Sequence, residues 1–453
     1  MNILNQKNPN MINFTKNGKH KYTVSTDPDI IKLIEEHIEQ YKNEGKEMLV
    51  KLLDTEELYG DVIDAAKDKR HRMSVKIAIG DPVRSYTDTI TDPENRLHQT
   101  IRFIQYSVIT DNFVPPEHQP IEIQDGPKGK IRQIIRPQFH IEQIIHHSLV
   151  RVLEPIFMKK MYYYSAASIP KRGTHFLRKH IEHAIKFDSQ NTKYCLKMDI
   201  RKFFQSIPHR KLKTMLKEDV RDDTVRKLLF KVIDSVEEGL PLGFYTSQWL
   251  ANYYLQPIDH YIKERMYDDL KISHSKKRHG APHYFRYMDD MVLFDPNKKE
   301  LHRARLILMD KLKKEYGLSI KDDWSVFRFD YIDDDGVRKG NMLDFIGFRF
   351  YHDKVTIREK IYERIIKLID RLIVKNKQDI TFHEAASMLS YYGYVVWGDS
   401  KGIYYNMLKP YIGLKDLKRI VSEENSKYNK YINTIMDRDE WIKGYEPEPN
   451  PFS

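Results

Sequence analysis

The string Tyr284-Phe285-Arg286-Tyr287-Met288-Asp289-Asp290-Met291-Val292-Leu293-Phe294 sets an adjacent Asp pair between two apolar, aromatic-rich runs. Runs of this length and composition read as buried β-strands, so a strand, a carboxylate turn and a second strand are expected here. Two like charges at such a junction cost on the order of several kcal/mol unless cations neutralise them. A pair of divalent ions meets that need, because hard oxygen ligands suit Mg2+ and two such ions on protein carboxylates serve in-line phosphoryl or nucleotidyl transfer. By itself the string also fits a solvated Asp-Asp hairpin.

Upstream, Tyr194-Cys195-Leu196-Lys197-Met198-Asp199-Ile200-Arg201-Lys202-Phe203-Phe204 is again a short strand ending in an Asp, followed by two aromatics. Between the two strings lies Gly239-Leu240-Pro241-Leu242-Gly243-Phe244-Tyr245-Thr246-Ser247-Gln248, which opens a helix-like run through Trp249, Asn252, Leu255 and Ile258. In this order the three strings resemble the palm of a reverse transcriptase. Asp199 then falls in motif A, the Gly243 turn and its helix in motif B, and Tyr-Met-Asp-Asp in motif C.

The resemblance extends over roughly residues 120 to 410. Ile121 to Ile123, a Gly-bearing turn, and Lys130 to Ile135 read as a fingers hairpin, with Lys130 and Arg132 on one face by period two. Ser168 to His175, containing Arg172 and Gly173, resembles the segment that precedes motif A in bacterial members, and Gly317 to Lys321 resembles motif D. Leu343 to Phe348 is similar to the primer-grip hairpin, and Ser390-Tyr391-Tyr392-Gly393-Tyr394 with Trp397 to a thumb signature.

One departure narrows the family. Most reverse transcriptases carry Gln-Gly-x-x-x-Ser-Pro in motif B, whereas here Leu242 and Gln248 stand at the two ends. The Leu-Gly-x-x-x-Ser-Gln form is similar to that of diversity-generating retroelement enzymes and related bacterial groups linked to phage defence. It argues against a group II intron maturase or a typical retron. Losing the Gln amide removes hydrogen-bond capacity near the incoming nucleotide, so reduced fidelity is expected.

With 40 % apolar residues in 453, the chain can bury two or three domain cores. Its 76 Lys and Arg against 65 Asp and Glu give a formal charge of +11, which suits an acidic polymer. From Ile357 to Val374 the cations Lys360, Arg364, Lys367 and Arg371 recur every three or four residues, with Lys375 beyond, opposite Ile361, Ile365, Leu368, Ile369 and Leu372. That is one basic stripe over one apolar stripe of a helix. In a thumb it would meet the duplex backbone through salt-sensitive, sequence-blind contacts.

The single cysteine, Cys195, excludes an intramolecular disulfide and suits a small buried strand position. The histidine groupings (His140, His146 and His147; His175, His180 and His183) lack Cys partners or a ligand spacing, so no zinc site is expected. Asp333-Asp334-Asp335-Gly336 reads as a turn.

The expected fold is α+β: a right-hand polymerase with fingers, a palm of antiparallel sheet with helices, a helical thumb and a helical N-terminal extension. The segments are a disordered 1–20, the helical extension 21–115, fingers with the start of the palm 116–195, palm 196–350, helical thumb 351–440 and a disordered tail 441–453. Residues 265 to 283, with Lys276, Lys277 and Arg278, read as a basic connection. No signal peptide, anchor or run of transmembrane length is seen, so a cytoplasmic protein without a membrane partner is expected.

The resemblance implies roles. Asp199, Asp289 and Asp290 would be catalytic and, with the Ile200 carbonyl, ligate two Mg2+ ions, Mn2+ being a substitute. Lys130 and Arg132 would neutralise the triphosphate, Gly243 and Gln248 would line the nucleotide site, and Phe204 would be the steric gate against a ribose 2′-hydroxyl. Lys321 would protonate pyrophosphate, while Arg172, Gly173 and the basic stripe would contact nucleic acid. The partners are an RNA template, a structured non-coding RNA above all, a DNA primer and product duplex, dNTPs, and an accessory protein or a second copy of the chain. The reading is an RNA-directed DNA polymerase serving bacterial anti-phage defence. Its alternatives are a diversity-generating retroelement enzyme and template-independent or protein-primed synthesis, which the 29 tyrosines permit without indicating. A non-catalytic RNA-binding scaffold comes last, because all three Asp residues are intact.

Overall fold

The computed structural model describes residues 11–14, 22–25, 28–66, 93–124, 131–270, 279–424 and 426. By its internal contacts the chain divides into two compact units: Met1–Lys159 with Ile207–Leu250 and Lys430–Ser453, and Lys160–Ser206 with Ala251–Asn429. The motif B turn groups with the extension and fingers hairpin, and the thumb with the palm strands. Among the described residues no helix is long and apolar enough to cross a membrane.

The first unit is mostly helical. Pro28–Asn43, Glu47–Leu53, Thr55–Ala66 and Pro93–Ile109 pack together, burying Leu49, Leu52, Leu58, Val62, Ile101 and Ile104. This is the amphipathic packing expected of the extension. Arg151 grips Asp61 with both Nε and Nη2, at 3.1 and 2.9 Å. Two antiparallel pairs complete the described strands of the unit. β1 (Met11–Phe14) pairs with β2 (Tyr22–Ser25), and β3 (Ile121–Gln124) with β4 (Ile131–Ile134). The first pair makes Met11–Phe14 a strand within the stretch 1–20 that was expected to be disordered: Asn and Lys dominate the composition there, but Met-Ile-Asn-Phe and Tyr-Thr-Val-Ser are short, β-prone runs able to pair. The second pair is the expected fingers hairpin, with Arg132 opposite Ile123. Lys130 lies outside the described residues.

The second unit is built on a five-stranded sheet of order β5-β7-β8-β6-β9: β5 (Ser165–Ala166), β6 (Tyr194–Asp199), β7 (His283–Tyr287), β8 (Asp290–Asp295) and β9 (Ser325–Arg328). Only the short β5 pairs in parallel; the other three ladders are antiparallel. Met291, Val292, Leu293 and Phe294 are all buried, so β8 is covered on both faces, which is why it reads as a continuous apolar run. On one face, Leu177, Ile181 and Ile185 of helix Thr174–Phe187 join Phe285, Val292 and Phe294. Helix Lys298–Tyr316 packs on β6, β8 and β9, burying Leu301, Ala304, Leu308 and Leu312 at helical spacing. Asn297 caps its start and Gly317, at φ 67°, ends it.

Beyond the sheet, β10 (Tyr331–Ile332) and β11 (Arg338–Lys339) form a hairpin whose turn is Asp333–Gly336, as expected. β12 (Leu343–Phe345), β13 (Phe348–Phe350) and β14 (Val355–Ile357) make a three-stranded antiparallel sheet. The thumb helix therefore starts later than expected, spanning Glu359–Ile373. Ile357 fits the apolar phase of the helix but pairs with Phe348 as a strand residue, in keeping with the β preference of Val-Thr-Ile. The helix buries Ile365, Leu368, Ile369 and Leu372 against helix Phe382–Trp397, which carries a capping box of Thr381 and Glu384. Gly347, at φ 86°, closes the β12–β13 turn where an added Cβ would lie 2.7 Å from the Tyr394 ring. The thumb signature thus packs on the hairpin expected to be the primer grip.

The tail 441–453 and the basic run Lys276-Lys277-Arg278 lie outside the described residues.

Candidate active site

Three carboxylates converge at the end of the five-stranded sheet. Asp199 ends β6 and Asp290 begins β8, and the register places them directly opposite each other. Asp289 occupies the tight turn between Tyr287 and Asp290, preceded by Met288 at φ 55°. The Ile200 N–H donates to the Asp289 carbonyl at 3.3 Å, tying the turn to the end of β6. The segment Gly317–Lys321 closes the other side. Ile320 bridges Ile200, the Arg201 N–H donates to Ser319 at 2.7 Å, and the Lys321 N–H donates to the Asp199 carbonyl at 2.8 Å.

The charge at this junction is only partly met by the protein. The Lys321 ammonium donates to Asp199 Oδ2, but Asp199 Oδ1 is buried with no hydrogen-bond partner. Burial and then the neighbouring Asp199 charge push the Asp289 carboxyl up to about 6, and the same two causes raise Asp290. Burial pulls Lys321 down, yet its bond to Asp199 and the charges of all three carboxylates outweigh that, so its net shift is upward. Alongside lies a cavity of about 290 Å³ whose lining includes Lys197, Asp199, Asp290, Asp323 and Asp344. Hard carboxylate oxygens, one of them orphaned, are the donor set divalent oxygen-loving cations require. The residues present fit such ions.

Beneath the turn is a buried network that sequence reasoning missed. Arg286 of β7 is fully buried. Its Nε and Nη2 donate to Asp259 Oδ1 and Oδ2 at 2.7 and 2.6 Å. Its Nη1 donates to Asn252 Oδ1 at 3.0 Å and to the Met288 carbonyl at 2.8 Å. Tyr284 Oη also donates to Asp259, at 2.7 Å, and Asn252 Nδ2 donates to the Ala167 carbonyl at 3.0 Å. A signal existed. A lone Arg inside an apolar strand requires a buried acceptor, and Asn252 and Asp259 lie two helical turns apart on one face.

The remaining expected residues are distributed as follows. Phe204 is half-buried in the short helix Phe203–Ser206, its ring edge-on to Phe203 at 5.6 Å. Arg172 donates to the Tyr162 carbonyl at 3.1 Å and lies over the Tyr163 ring, and Gly173 precedes helix Thr174–Phe187. Lys360, Arg364, Lys367 and Arg371 are all exposed, while Lys375 turns to Glu384 at 2.7 Å. Cys195 is a free, buried strand residue, as expected.

In the first unit, Gly243 sits at φ 110° and a Cβ there would come within 2.2 Å of the Ile135 carbonyl oxygen. Only glycine fits. The Leu242 carbonyl accepts from the Ile135 N–H at 2.8 Å, joining the motif B turn to the exit of β4. Phe244 is wedged between His118 and His146, with ring centroids 5.0 and 4.5 Å away. Glu142 bonds His118 at 2.6 Å, and His146 bonds Thr246 at 2.7 Å. Gln248 is exposed on the first turn of helix Tyr245–Glu264.

One cluster among the described residues, Asp330, His352 and Asp353, has side chains close enough to share an ion. Arg338 pairs with both carboxylates, at 3.7 and 2.6 Å, and His352 bonds Asp330, so protein cations and donors already answer that charge.

A mostly antiparallel sheet with carboxylates at adjacent strand ends is the architecture of a polymerase palm. The family profile described as "Reverse transcriptase (RNA-dependent DNA polymerase)" matches residues 123–350, just over half of the sequence, and the chain belongs to that family. It is similar to a putative COX1/OXI3 intron 2 protein of Saccharomyces cerevisiae, 26 % identical over 183 residues, 38 % of this chain and 20 % of that protein. It is also similar to protein YkfC of Escherichia coli, 23 % identical over 178 residues, 36 % of this chain and 46 % of that protein. The chain thus spans a fifth to under half of the length of these relatives. Among solved structures, it is similar to telomerase from Candida albicans in complex with a fragment of telomeric RNA, at 13 % identity, covering 70 % of this chain and 61 % of that one with a TM-score of 0.38. Apo telomerase from Candida tropicalis gives 11 %, 73 %, 60 % and 0.40. Likenesses this distant carry no argument about activity.

Proposed function

We propose that the protein synthesises DNA on an RNA template by nucleotidyl transfer at Asp199, Asp289 and Asp290. The observation that carries this reading is the unmet charge: carboxylates from β6 and the β7–β8 turn face one another, and an Asp199 oxygen is buried without a partner. Asp199, Asp289, Asp290 and the Ile200 carbonyl would hold two Mg2+ ions, with Mn2+ as a substitute. Bound there, such ions lower the pKa of a primer 3′-hydroxyl and neutralise the triphosphate. Lys321, kept protonated beside Asp199, orients that carboxylate and is placed to give a proton to leaving pyrophosphate.

The finer assignments extend this reading. Phe204 acts as the steric gate, Arg132 with Lys130 neutralises phosphates, and Gly243 and Gln248 shape the nucleotide side of motif B. Arg172 and Gly173 shape the strand-to-helix turn beside the nucleic acid, and the exposed stripe of Lys360, Arg364, Lys367 and Arg371 runs along the duplex backbone. The biological role we favour is cDNA synthesis from a structured RNA in bacterial defence against phage, supported by the Leu242 and Gln248 form of motif B and by the helical extension before residue 116.

The test is primer extension with a defined RNA, with and without template, using wild type and the Asp289→Ala, Asp290→Ala double variant. Template-directed DNA synthesis by wild type alone is expected. Synthesis that persists in the double variant, or that ignores the template, would overturn the proposal.

A further inference from the structure

We infer that Arg286 is a positioning residue for the reaction: from a buried ion pair it holds the backbone of the Met288-Asp289 turn, and so sets where the Asp289 carboxylate stands. This rests on the polymerase reading and extends it to residues that touch neither nucleotide nor ion. The geometry is specific. One guanidinium answers three acceptor residues on two elements: Asp259 and Asn252 on helix Tyr245–Glu264, and the Met288 carbonyl in the turn itself. The turn's other backbone group is also held, since the Met288 N–H donates to the Ala166 carbonyl at 3.2 Å. Asn252 links the two holds, bonding Arg286 with its oxygen and the Ala167 carbonyl with its nitrogen.

A buried ion pair is weak evidence of stability, because desolvation offsets much of the attraction. It is strong evidence of fixed geometry, because the planar fork must satisfy every acceptor at once. Met288 stands at φ 55°, a region unfavourable for a side-chain-bearing residue. The network supplies the contacts that keep it there. A lysine at 286 could still neutralise Asp259, but one ammonium cannot span the same three acceptors.

Three variants separate positioning from stability. Arg286→Lys keeps the buried charge pair. Asn252→Ala removes the amide that links the two holds on the turn. Tyr284→Phe removes one hydrogen bond to Asp259 and leaves the hold on Met288 intact. Each is measured for thermal unfolding, for kcat and dNTP KM in primer extension, and for binding of Mn2+ by electron paramagnetic resonance. For Arg286→Lys a kcat loss of about 100-fold is expected, with KM little changed and Mn2+ binding weakened. Asn252→Ala is expected to lose activity and Mn2+ binding out of proportion to its melting shift, and Tyr284→Phe to melt earlier while keeping its kcat. Losses that track the melting shift equally in all the variants that fold would overturn the inference, as would wild-type kcat and Mn2+ binding in Arg286→Lys. Should Arg286→Lys fail to fold, the contrast between Asn252→Ala and Tyr284→Phe decides alone. Activity surviving in Asp289→Ala, Asp290→Ala would instead refute the polymerase reading itself.

Discussion

Two hairpins of the same unit carry clustered aspartates, and their surroundings treat the charge in opposite ways. In the β10–β11 turn, Asp333 accepts from Lys339 at 2.5 Å and from the N–H groups of Val337 and Asp335 at 2.8 and 3.2 Å. Those partners, Lys339 first, hold its carboxyl below the usual range. In the β7–β8 turn, burial and the facing Asp199 push Asp289 up to about 6, and Asp199 keeps an oxygen without a partner. Composition alone would rank the triple-Asp turn as the more acidic feature. What marks a functional cluster is charge that the protein has gathered and only partly answered.

The widest gap between the two hairpins should be catalytic. Asp199→Asn is expected to lower primer-extension activity by at least about 1,000-fold, as removal of a central electrostatic group does. Asp333→Asn should leave activity within about twofold, as a surface change distant from such features. Comparable losses in both would break the contrast.

The next effect concerns pH. Asp289 has a folded-state pKa above its unfolded value, so the folded protein binds the proton more tightly. Well below the unfolded value of 3.8 both states are protonated and Asp289 costs nothing. As the pH rises through about 6 the folded state must ionise, and the full cost of about 1–2 kcal/mol, allowing for solvent, is present above that. Asp289→Asn should therefore stabilise the metal-free protein at pH 7.5, and the gain should vanish well below pH 3.8. Thermal melts across that range in chelator check this, and a gain that does not change with pH would count against the shift.

A smaller effect belongs to the thumb. Each alanine placed at Lys360, Arg364, Lys367 or Arg371 should weaken duplex binding modestly, and should reduce the slope of log affinity against log salt by up to about 0.9. An unchanged slope would make the stripe an ordinary solvated face.

Much of this site was legible because it is encoded in short-range pattern. Apolar runs flanking Asp199 and Asp289 marked the paired strands, the turn chemistry between Ile121 and Ile135 marked the fingers hairpin, and the 3.6-residue period marked the thumb helix. The parts that were not legible depend on contacts distant in sequence. Ile357 fits a helical stripe until its pairing with Phe348 makes it a strand residue. The strand Met11–Phe14 is hidden in a polar composition and needs Tyr22–Ser25 to form. Arg286, Asp259 and Asn252 read as an isolated cation and two helical polar residues, and only the fold makes them one network under Met288.

The most direct test compares the two hairpins as cation sites. Thermal unfolding of wild type, Asp289→Asn and Asp333→Asn is followed at pH 7.5 with and without Mg2+. A ligand bound to the folded state alone raises the melting temperature, so Mg2+ should stabilise wild type and Asp333→Asn and leave Asp289→Asn nearly unmoved. An equal Mg2+ shift in all three proteins, or one lost only in Asp333→Asn, would contradict the account.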